Sequence, residues 1–388
     1  MLSISKFEGS INKLNIPNKL LLGPGPSNTP ANVLEVLSNP QIGHMDPLFI
    51  NIMEEVKSYL KYIWQTKNKF TFPISGTGSA GMECCAANLV ESGDKVLICM
   101  NGYFGLRFKD MCERQGGIVY TIEREWGECF ADNEIENGII KYKPQLLFIV
   151  HAETSTGVCQ PMENVGKICR KHDVLLCVDT VTSFSGIELH LDKWLIDACY
   201  TGTQKCVNCP PGLSPVSFSD RALEKIRKRK HTSTWYLDVK LLEKYIIGNN
   251  KGLRSYHHTA PISMIYALHE SLRFIIEEGL EKRWARHLTV AKYFWKQLNN
   301  IGLELLVDEK YRLPSLTTVV IPNGVDGKKV SNYLMDNYNI EIAGGLGILK
   351  GKVWRVGLMG VNANKEIVDI LIPRLKEAID KFSKIEIL

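Results

Sequence analysis

The chain has 388 residues, 45% hydrophobic and 23% charged, with 47 lysines and arginines against 42 aspartates and glutamates. A net charge of +5 over this length excludes a nucleic-acid-coating surface and an acidic tail, and the composition excludes a disordered or fibrous chain. At roughly 100–200 residues per domain, the length implies two or three domains.

No uncharged apolar run approaches the ~18 residues of a membrane span. Lys6, Glu8 and Lys13 interrupt the opening segment, so no secretory signal is expected there. Eleven cysteines without such a signal point to free thiols in a reducing setting. Cys206-Val-Asn-Cys209 is a C-x-x-C, with Cys169-Arg-Lys-His172 as a distant second pair. Their separation does not match a structural zinc site, which favours small apolar packing residues.

In chain order, residues 1–16 read as a loose arm. Gly23-Pro24-Gly25-Pro26-Ser27-Asn28 is a rigid turn, because proline fixes φ and glycine frees it. Strands are predicted at Phe70–Ile74, Lys95–Met100, Gln145–Val150 and Val174–Val178. Amphipathic helices fall between them at Met82–Val90, Phe104–Gln115 and Asn164–His172. This alternation predicts an α/β fold with a mostly parallel sheet between helices. Lys225 to His231 is a basic run after a helix start near Ser219, either a solvated helix end or a surface for an anionic partner.

Pro261–Asn300 reads as helical, punctuated at Gly279. Strands are then expected at Leu303–Val307 and Leu316–Ile321, a helix at Lys328–Asn337, two more strands, and a closing helix from Asn364 to Phe382. The resulting division is an N-terminal arm (1–16), a large domain (17–277) and a smaller α+β C-terminal domain (278–388).

Between the first strand and helix, Gly76, Gly78 and Gly81 satisfy G-x-G-x-x-G. A dinucleotide site also needs an acidic residue at the tip of the next strand, and Asn101-Gly102 stands there instead. What remains is a phosphate cradle at a helix N-terminus, or a structural tight turn. Val174–Val178 leads into Asp179, at the carboxyl edge where open α/β sheets bind ligands. The preceding strand runs into the hydroxyl-rich tip His151-Ala-Glu-Thr154-Ser155-Thr156-Gly157. Asp179 alone could equally be a helix cap.

Lys205 stands among small and apolar residues. Desolvation lowers the pKa of such an amine, and its neutral form makes Schiff bases; a surface-loop lysine is the alternative. Arg355 sits mid-strand in Lys352-Val-Trp-Arg355-Val-Gly-Leu, suited to a substrate carboxylate or to a structural ion pair. A phosphate anchor, a pyridinium partner and a Schiff-base lysine together make a pyridoxal-phosphate site.

These residues, with Ile16-Pro-Asn-Lys-Leu-Leu-Leu-Gly-Pro-Gly-Pro-Ser-Asn28, Arg254-Ser-Tyr256-His257-His258-Thr259, Glu341-Ile-Ala-Gly-Gly-Leu-Gly347 and Gly351-Lys-Val-Trp-Arg-Val-Gly357, resemble a fold-type-I, class V aminotransferase. More narrowly the chain is similar to the alanine–glyoxylate / serine–pyruvate aminotransferase family. The resemblance implies a homodimer with shared active sites and pyridoxal phosphate as cofactor. Lys205 would form the Schiff base and shuttle the α-proton, while Asp179 holds the pyridinium nitrogen protonated. Thr77, Gly78, Ser79 and Gln204 would hold the phosphate, joined by Tyr256 and Thr259 from the partner subunit. Thr154 would bond near the ring hydroxyl, Val181 and Phe104 would cover the two ring faces, and Arg355 would take the substrate carboxylate.

Phe104, Ser79 and Thr154 replace the Trp, His and Ser common in that family. The expected reaction moves the amino group of L-alanine or L-serine to glyoxylate or pyruvate. Kynurenine or 3-hydroxykynurenine transamination is the alternative within the class; a nicotinamide dehydrogenase and a silent scaffold are the alternatives outside it. The terminal Glu386-Ile387-Leu388 departs from the S-K-L signal at two positions, so the expected compartment is cytosolic or peroxisomal.

Overall fold

The computed structural model describes residue 5 and residues 7–230, 232–248 and 254–383. His231 of the basic run and the terminal Glu386-Ile387-Leu388 lie outside the described residues. Seven short apolar runs pair into one sheet: Phe70–Ser75 (β1), Lys95–Met100 (β2), Ile118–Glu123 (β3), Leu146–Val150 (β4), Leu175–Asp179 (β5), Ala198–Tyr200 (β6) and Leu213–Phe218 (β7). The spatial order is β3-β2-β4-β5-β6-β7-β1. All neighbours are parallel except those of β7, which runs antiparallel to β6 and β1. Every residue of β4 and β5 is buried, as parallel strands covered on both faces require.

Helices cover the sheet. Pro47–Trp64 (α1) starts where Asp46 accepts from the Leu48 N–H at 2.8 Å and Pro47 takes the first helical position. It buries Phe49, Met53, Val56, Leu60 and Ile63 at helical spacing. Gly78–Leu89 (α2) begins at Gly78, earlier than the apolar pattern at Met82 announces. Its first turn is poor in helix formers but carries Gly81, where a Cβ would stand 2.1 Å from the Ser214 Oγ. Glycine there lets α2 lie directly on β6 and β7.

Tyr103–Arg114 (α3), Asp132–Tyr142 (α4), Val165–Lys171 (α5) and Asp220–Lys228 (α6) complete this unit's crossovers, and Ser219 caps α6 through the Ala222 N–H at 3.1 Å. In the basic run, Lys225 pairs with Asp94, Arg227 with Glu243 and Lys228 with Glu224, and Arg229 donates to the Ala87 carbonyl. These contacts engage the four cations from Lys225 to Arg229 at the helix end, while Lys230 is exposed.

Ile262–Glu278 (α7) and Leu280–Asn300 (α8) are separated by Gly279 at φ 83°, a conformation that favours glycine. A second sheet follows: Leu316–Val320 (β8), Ala343–Gly344 (β9) and Val353–Gly357 (β10), antiparallel in the order β8-β10-β9. Gly327–Tyr338 (α9) and Lys365–Phe382 (α10) pack with it. The strand expected at Leu303–Val307 does not form. That segment meets β8 through one bridge, Leu305 to Val319, before Asp308 caps a 3₁₀ turn that carries it away.

Two main apolar clusters result, one drawn from Val33 to Leu280, the other from Val290 to Ala378 with Leu22. Leu20–Leu21 pairs in parallel with Ile340–Glu341, which explains the place of Leu22 in the second cluster. All eleven cysteines are free thiols, and the two of the C-x-x-C pack in different clusters: Cys206 against Leu313, Leu316 and Met359, Cys209 in the main core. Among the described residues no helix is long and apolar enough to cross a membrane.

Candidate active site

The carboxyl ends of β1, β2, β4, β5 and β6 converge on one edge of the sheet. There a cavity of about 160 Å³ opens. It is lined by Gly78, Ser79, Phe104, Asp179, Val181, Gln204 and Lys205, all named from the sequence, together with Met82, Arg107 and Tyr200, which were not.

Asp179 is the last residue of β5. Its Oδ2 accepts from the Tyr200 hydroxyl at 2.5 Å and its Oδ1 from the Val181 N–H at 2.8 Å. Burial pushes this carboxyl up to about 6, while the Tyr200 and Val181 hydrogen bonds and the Lys205 charge hold it down. An acid so balanced is ionised at neutral pH yet desolvated enough to bind a cation strongly.

Lys205 follows β6 and is 8% exposed. Its Nζ donates to the Pro24 carbonyl of the glycine–proline turn. Gly25 in that turn has φ 115°, and a Cβ on it would stand 2.7 Å from Lys205 Cδ. The turn thus needs glycine both for its backbone and for the lysine's passage. Burial pushes the Lys205 amine down to about 8, the Arg355 charge adds to this, and Asp179 opposes it. About a tenth of the amine is therefore neutral at pH 7.

The glycine loop places the α2 N-terminus at the same cavity. Thr77 is its exposed N-cap, and its side chain makes no capping bond. The first-turn N–H groups of Gly78 and Ser79 face an anion site with the helix dipole behind them. Gln204 adds a buried Oε1 without a hydrogen-bond partner, and rotation of the amide presents its NH₂ instead. An orphaned amide beside an uncapped helix start fits a phosphate. At the tip of β2, Asn101 donates to the Glu128 carbonyl, so the position a dinucleotide site needs for an acid is filled otherwise.

The β4 tip organises the rest. Thr154 is buried, and its carbonyl accepts from Arg355 Nη1 at 3.2 Å. Arg355 Nε donates to the Gly344 carbonyl at 2.8 Å, and burial lowers its pKa to about 10. Both bonds go to carbonyls, and among the described residues its charge is not spent on an ion pair. Neither Thr154 nor Arg355 lines the cavity itself.

Next to Thr154, the Ser155 Oγ accepts from the Tyr103 N–H at 2.9 Å, and the Glu153 Oε2 accepts from the Phe104 N–H at 3.3 Å. Ser155 donates to Glu153 Oε1 at 2.6 Å. The tip thereby caps α3 from outside and fixes Phe104.

Tyr256 and Thr259 do not line the cavity of their own chain. Tyr256 is 66% exposed and Thr259 is exposed, on a segment joined to the end of β1 by a 3.0 Å contact between His258 Nε2 and Ser75 Oγ. Tyr200 escaped sequence reasoning because it reads as one more strand apolar. Arg107, on the same helix one turn after Phe104, was not singled out, since nothing in its spacing separates it from the helix's other cations.

Residues 20–370 match the aminotransferase class-V family. The alanine–glyoxylate aminotransferase of Felis catus is 42% identical over 385 residues, spanning 99% of this chain and 93% of that protein. Among solved structures, alanine–glyoxylate aminotransferase from Nostoc sp. has a TM-score of 0.94 at 50% identity, covering 97% of this chain and 100% of the other. Ureidoglycine–glyoxylate aminotransferase from Bacillus subtilis has a TM-score of 0.93 at 38% identity, covering 97% of each chain. A seven-stranded sheet with an acid, a desolvated lysine and an uncapped helix start at its carboxyl edge agrees with these matches: the chain belongs to the class V aminotransferases.

Proposed function

We propose that this aminotransferase works with pyridoxal phosphate and moves the amino group of L-alanine or L-serine to glyoxylate or pyruvate. The observation that carries the reading is the meeting, in one cavity, of the Lys205 amine, the Asp179–Tyr200 pair and the uncapped start of α2. When bound, the cofactor supplies an electron sink that lets an amino group leave one acid and join another.

The chain's residues then divide the work. The Gly78 and Ser79 N–H groups, Thr77 and the Gln204 amide hold the phosphate. The Asp179 carboxylate keeps a proton on the ring nitrogen, and the Tyr200 hydroxyl keeps Asp179 ionised. Lys205 Nζ, neutral for part of the time at physiological pH, takes the proton from the substrate α-carbon and returns it. Phe104 and Val181 flank the ring and exclude water, Thr154 meets the ring hydroxyl, and Arg355 takes the α-carboxylate. A single arginine for that carboxylate suits a donor with a small uncharged side chain.

Tyr256 and Thr259 complete the phosphate site of a partner subunit, a role supported by their exposure next to β1. The two apolar clusters and the Gly279 break support a large domain over 17–277 and a small one over 278–388.

The test is the visible spectrum of the purified protein with L-alanine and then glyoxylate. Alanine should discharge the yellow band with stoichiometric pyruvate, and glyoxylate should restore it. In Lys205→Ala the band should not form as in the parent, and turnover should fall by roughly 10³-fold or more. Bleaching by ureidoglycine or 3-hydroxykynurenine in place of alanine would change the donor. No visible band at saturating pyridoxal phosphate would overturn the proposal.

A further inference from the structure

Arg107 lies on α3 one turn beyond Phe104, and both line the cavity with Lys205 and Asp179. The other cations of α3 are spent on neighbouring carboxylates, Lys109 on Glu113 and Arg114 on Asp110. Arg107 is turned instead toward the start of α2, where its Nη1 donates to the Ser79 Oγ at 3.1 Å. On the way its guanidinium lies 4.9 Å from the Phe104 ring centroid and 5.5 Å from that of Tyr103.

Two consequences follow from the chemistry of these groups. A serine oxygen that accepts from a guanidinium has its own O–H free to donate elsewhere. That proton belongs to the same first turn as the Gly78 and Ser79 N–H groups, so all converge on one anion. A guanidinium within cation–π reach of two aromatic rings is also held in place, and it adds a positive charge where the helix dipole is already positive. The amine of Lys205 is committed to the reacting carbon and cannot serve this purpose.

We propose that Arg107 is the positioning residue that selects the phosphorylated cofactor, by orienting the Ser79 hydroxyl toward the phosphate and compensating the phosphate's charge. The inference rests on the pyridoxal-phosphate reading above. It also accounts for a serine at position 79: an oxygen fixed by a neighbouring arginine supplies the donor, and the arginine supplies the charge.

The experiment compares binding of pyridoxal phosphate and of pyridoxal to the full-length apoprotein. The two share ring and aldehyde and differ only in the phosphate. Arg107→Met should weaken pyridoxal phosphate by about ten- to a hundredfold while changing pyridoxal by less than about twofold. Arg107→Lys should recover part of the preference, because it restores the charge but not the fork. Added salt should narrow the preference of the parent protein more than that of Arg107→Met.

If both aldehydes weaken together, Arg107 is a packing residue and the inference fails. It fails equally if the preference is unchanged and the KM for a dicarboxylic donor rises, since Arg107 would then be reading substrate. Should Arg107→Met not fold, Ser79→Ala carries the same comparison, and an undiminished preference there refutes the orientation of the hydroxyl. A parent protein that binds both aldehydes equally refutes this inference and the phosphate cradle at the start of α2, while leaving the Lys205 reading standing. One that binds neither removes the cofactor reading and this inference with it.

Discussion

The strand tips of the main sheet and the segment 254–260 both carry residues assigned to the cofactor, but they hold them in opposite ways. Asp179 and Tyr200 are ladder residues, paired with each other, Asp179 also with Val150 and Tyr200 with Val216, and both are buried. Tyr256 and Thr259 stand in solvent on a segment without helix or strand. The difference follows from what each group does. Tuning a proton needs a low dielectric and fixed geometry, which one chain's sheet supplies. On the proposed function, Tyr256 and Thr259 serve the phosphate of a partner subunit, and their exposure agrees with that role.

The largest effects should come from breaking the enclosed side. The Asp179 carboxyl, raised to about 6 by burial, is ionised above that pH and neutral below it. Its hold on a protonated ring nitrogen is therefore present above about pH 6 and lost as pH falls. Association of the cofactor with the apoprotein should weaken through that range. Asp179→Asn should abolish this acid limb and lower kcat by roughly 10²–10⁴-fold. Tyr200→Phe removes a donor that favours the carboxylate, so the limb should move up by about one pH unit. A limb that stays where it was in Tyr200→Phe would mean that the 2.5 Å hydrogen bond does not tune the acid.

Next in size is the exposed side. If Tyr256 serves the partner, Lys205→Ala and Tyr256→Ala subunits are defective at different positions of a shared site. In a mixed dimer, one site collects both defects and the other collects neither. Mixing two nearly inactive proteins should then recover activity, up to about a quarter of the parent at equal amounts if random re-pairing makes half the dimers mixed with one good site each. Activity that stays at the sum of the two parents would place Tyr256 in its own chain's site or remove it from the cofactor altogether.

The same contrast decides how much the sequence could reveal. Asp179 was legible because it is a lone acid at the end of an apolar run, Lys205 because it is a lone cation among small and apolar residues after one, and the topology of parallel strands brings such ends together. The glycine loop was legible as the turn from strand into helix, though the helix it opens begins at Gly78, since Gly81 is chosen for close packing on Ser214 and not for helix propensity. Tyr200 and Glu153 were hidden because their value lies in partners contributed by other strands and helices. Leu303–Val307 misled for the converse reason: its composition suits a strand, but it meets a neighbour through a single bridge. Tyr256 and Thr259 came only from family resemblance, since nothing local marks them for the role proposed in a partner subunit.

The smallest effect tests the cap by which the β4 tip holds Phe104. Ser155→Ala removes the acceptor for the Tyr103 N–H and one of the bonds that favour the Glu153 carboxylate, the 2.6 Å hydroxyl bond, while the Ser155 N–H keeps its own bond to Glu153. Loss of a cap costs about 1 kcal/mol. The pH dependence adds a signature. Burial raises the Glu153 carboxyl to about 7, so between its ordinary value and 7 the unfolded chain has released a proton that the folded one retains. Stability from this group therefore falls as pH rises through that window and levels off above it. Without the hydroxyl the folded-state pKa rises further, and the fall continues to higher pH. The deficit of Ser155→Ala should thus be larger near pH 8 than near pH 5.5, where Glu153 is protonated in both proteins. Gly102 is constrained by the same carboxyl, because a Cβ there would stand 2.3 Å from Glu153 Cδ. Equal deficits at the two pH values would mean that Ser155 caps α3 without drawing on Glu153, and that Phe104 is held by the serine alone.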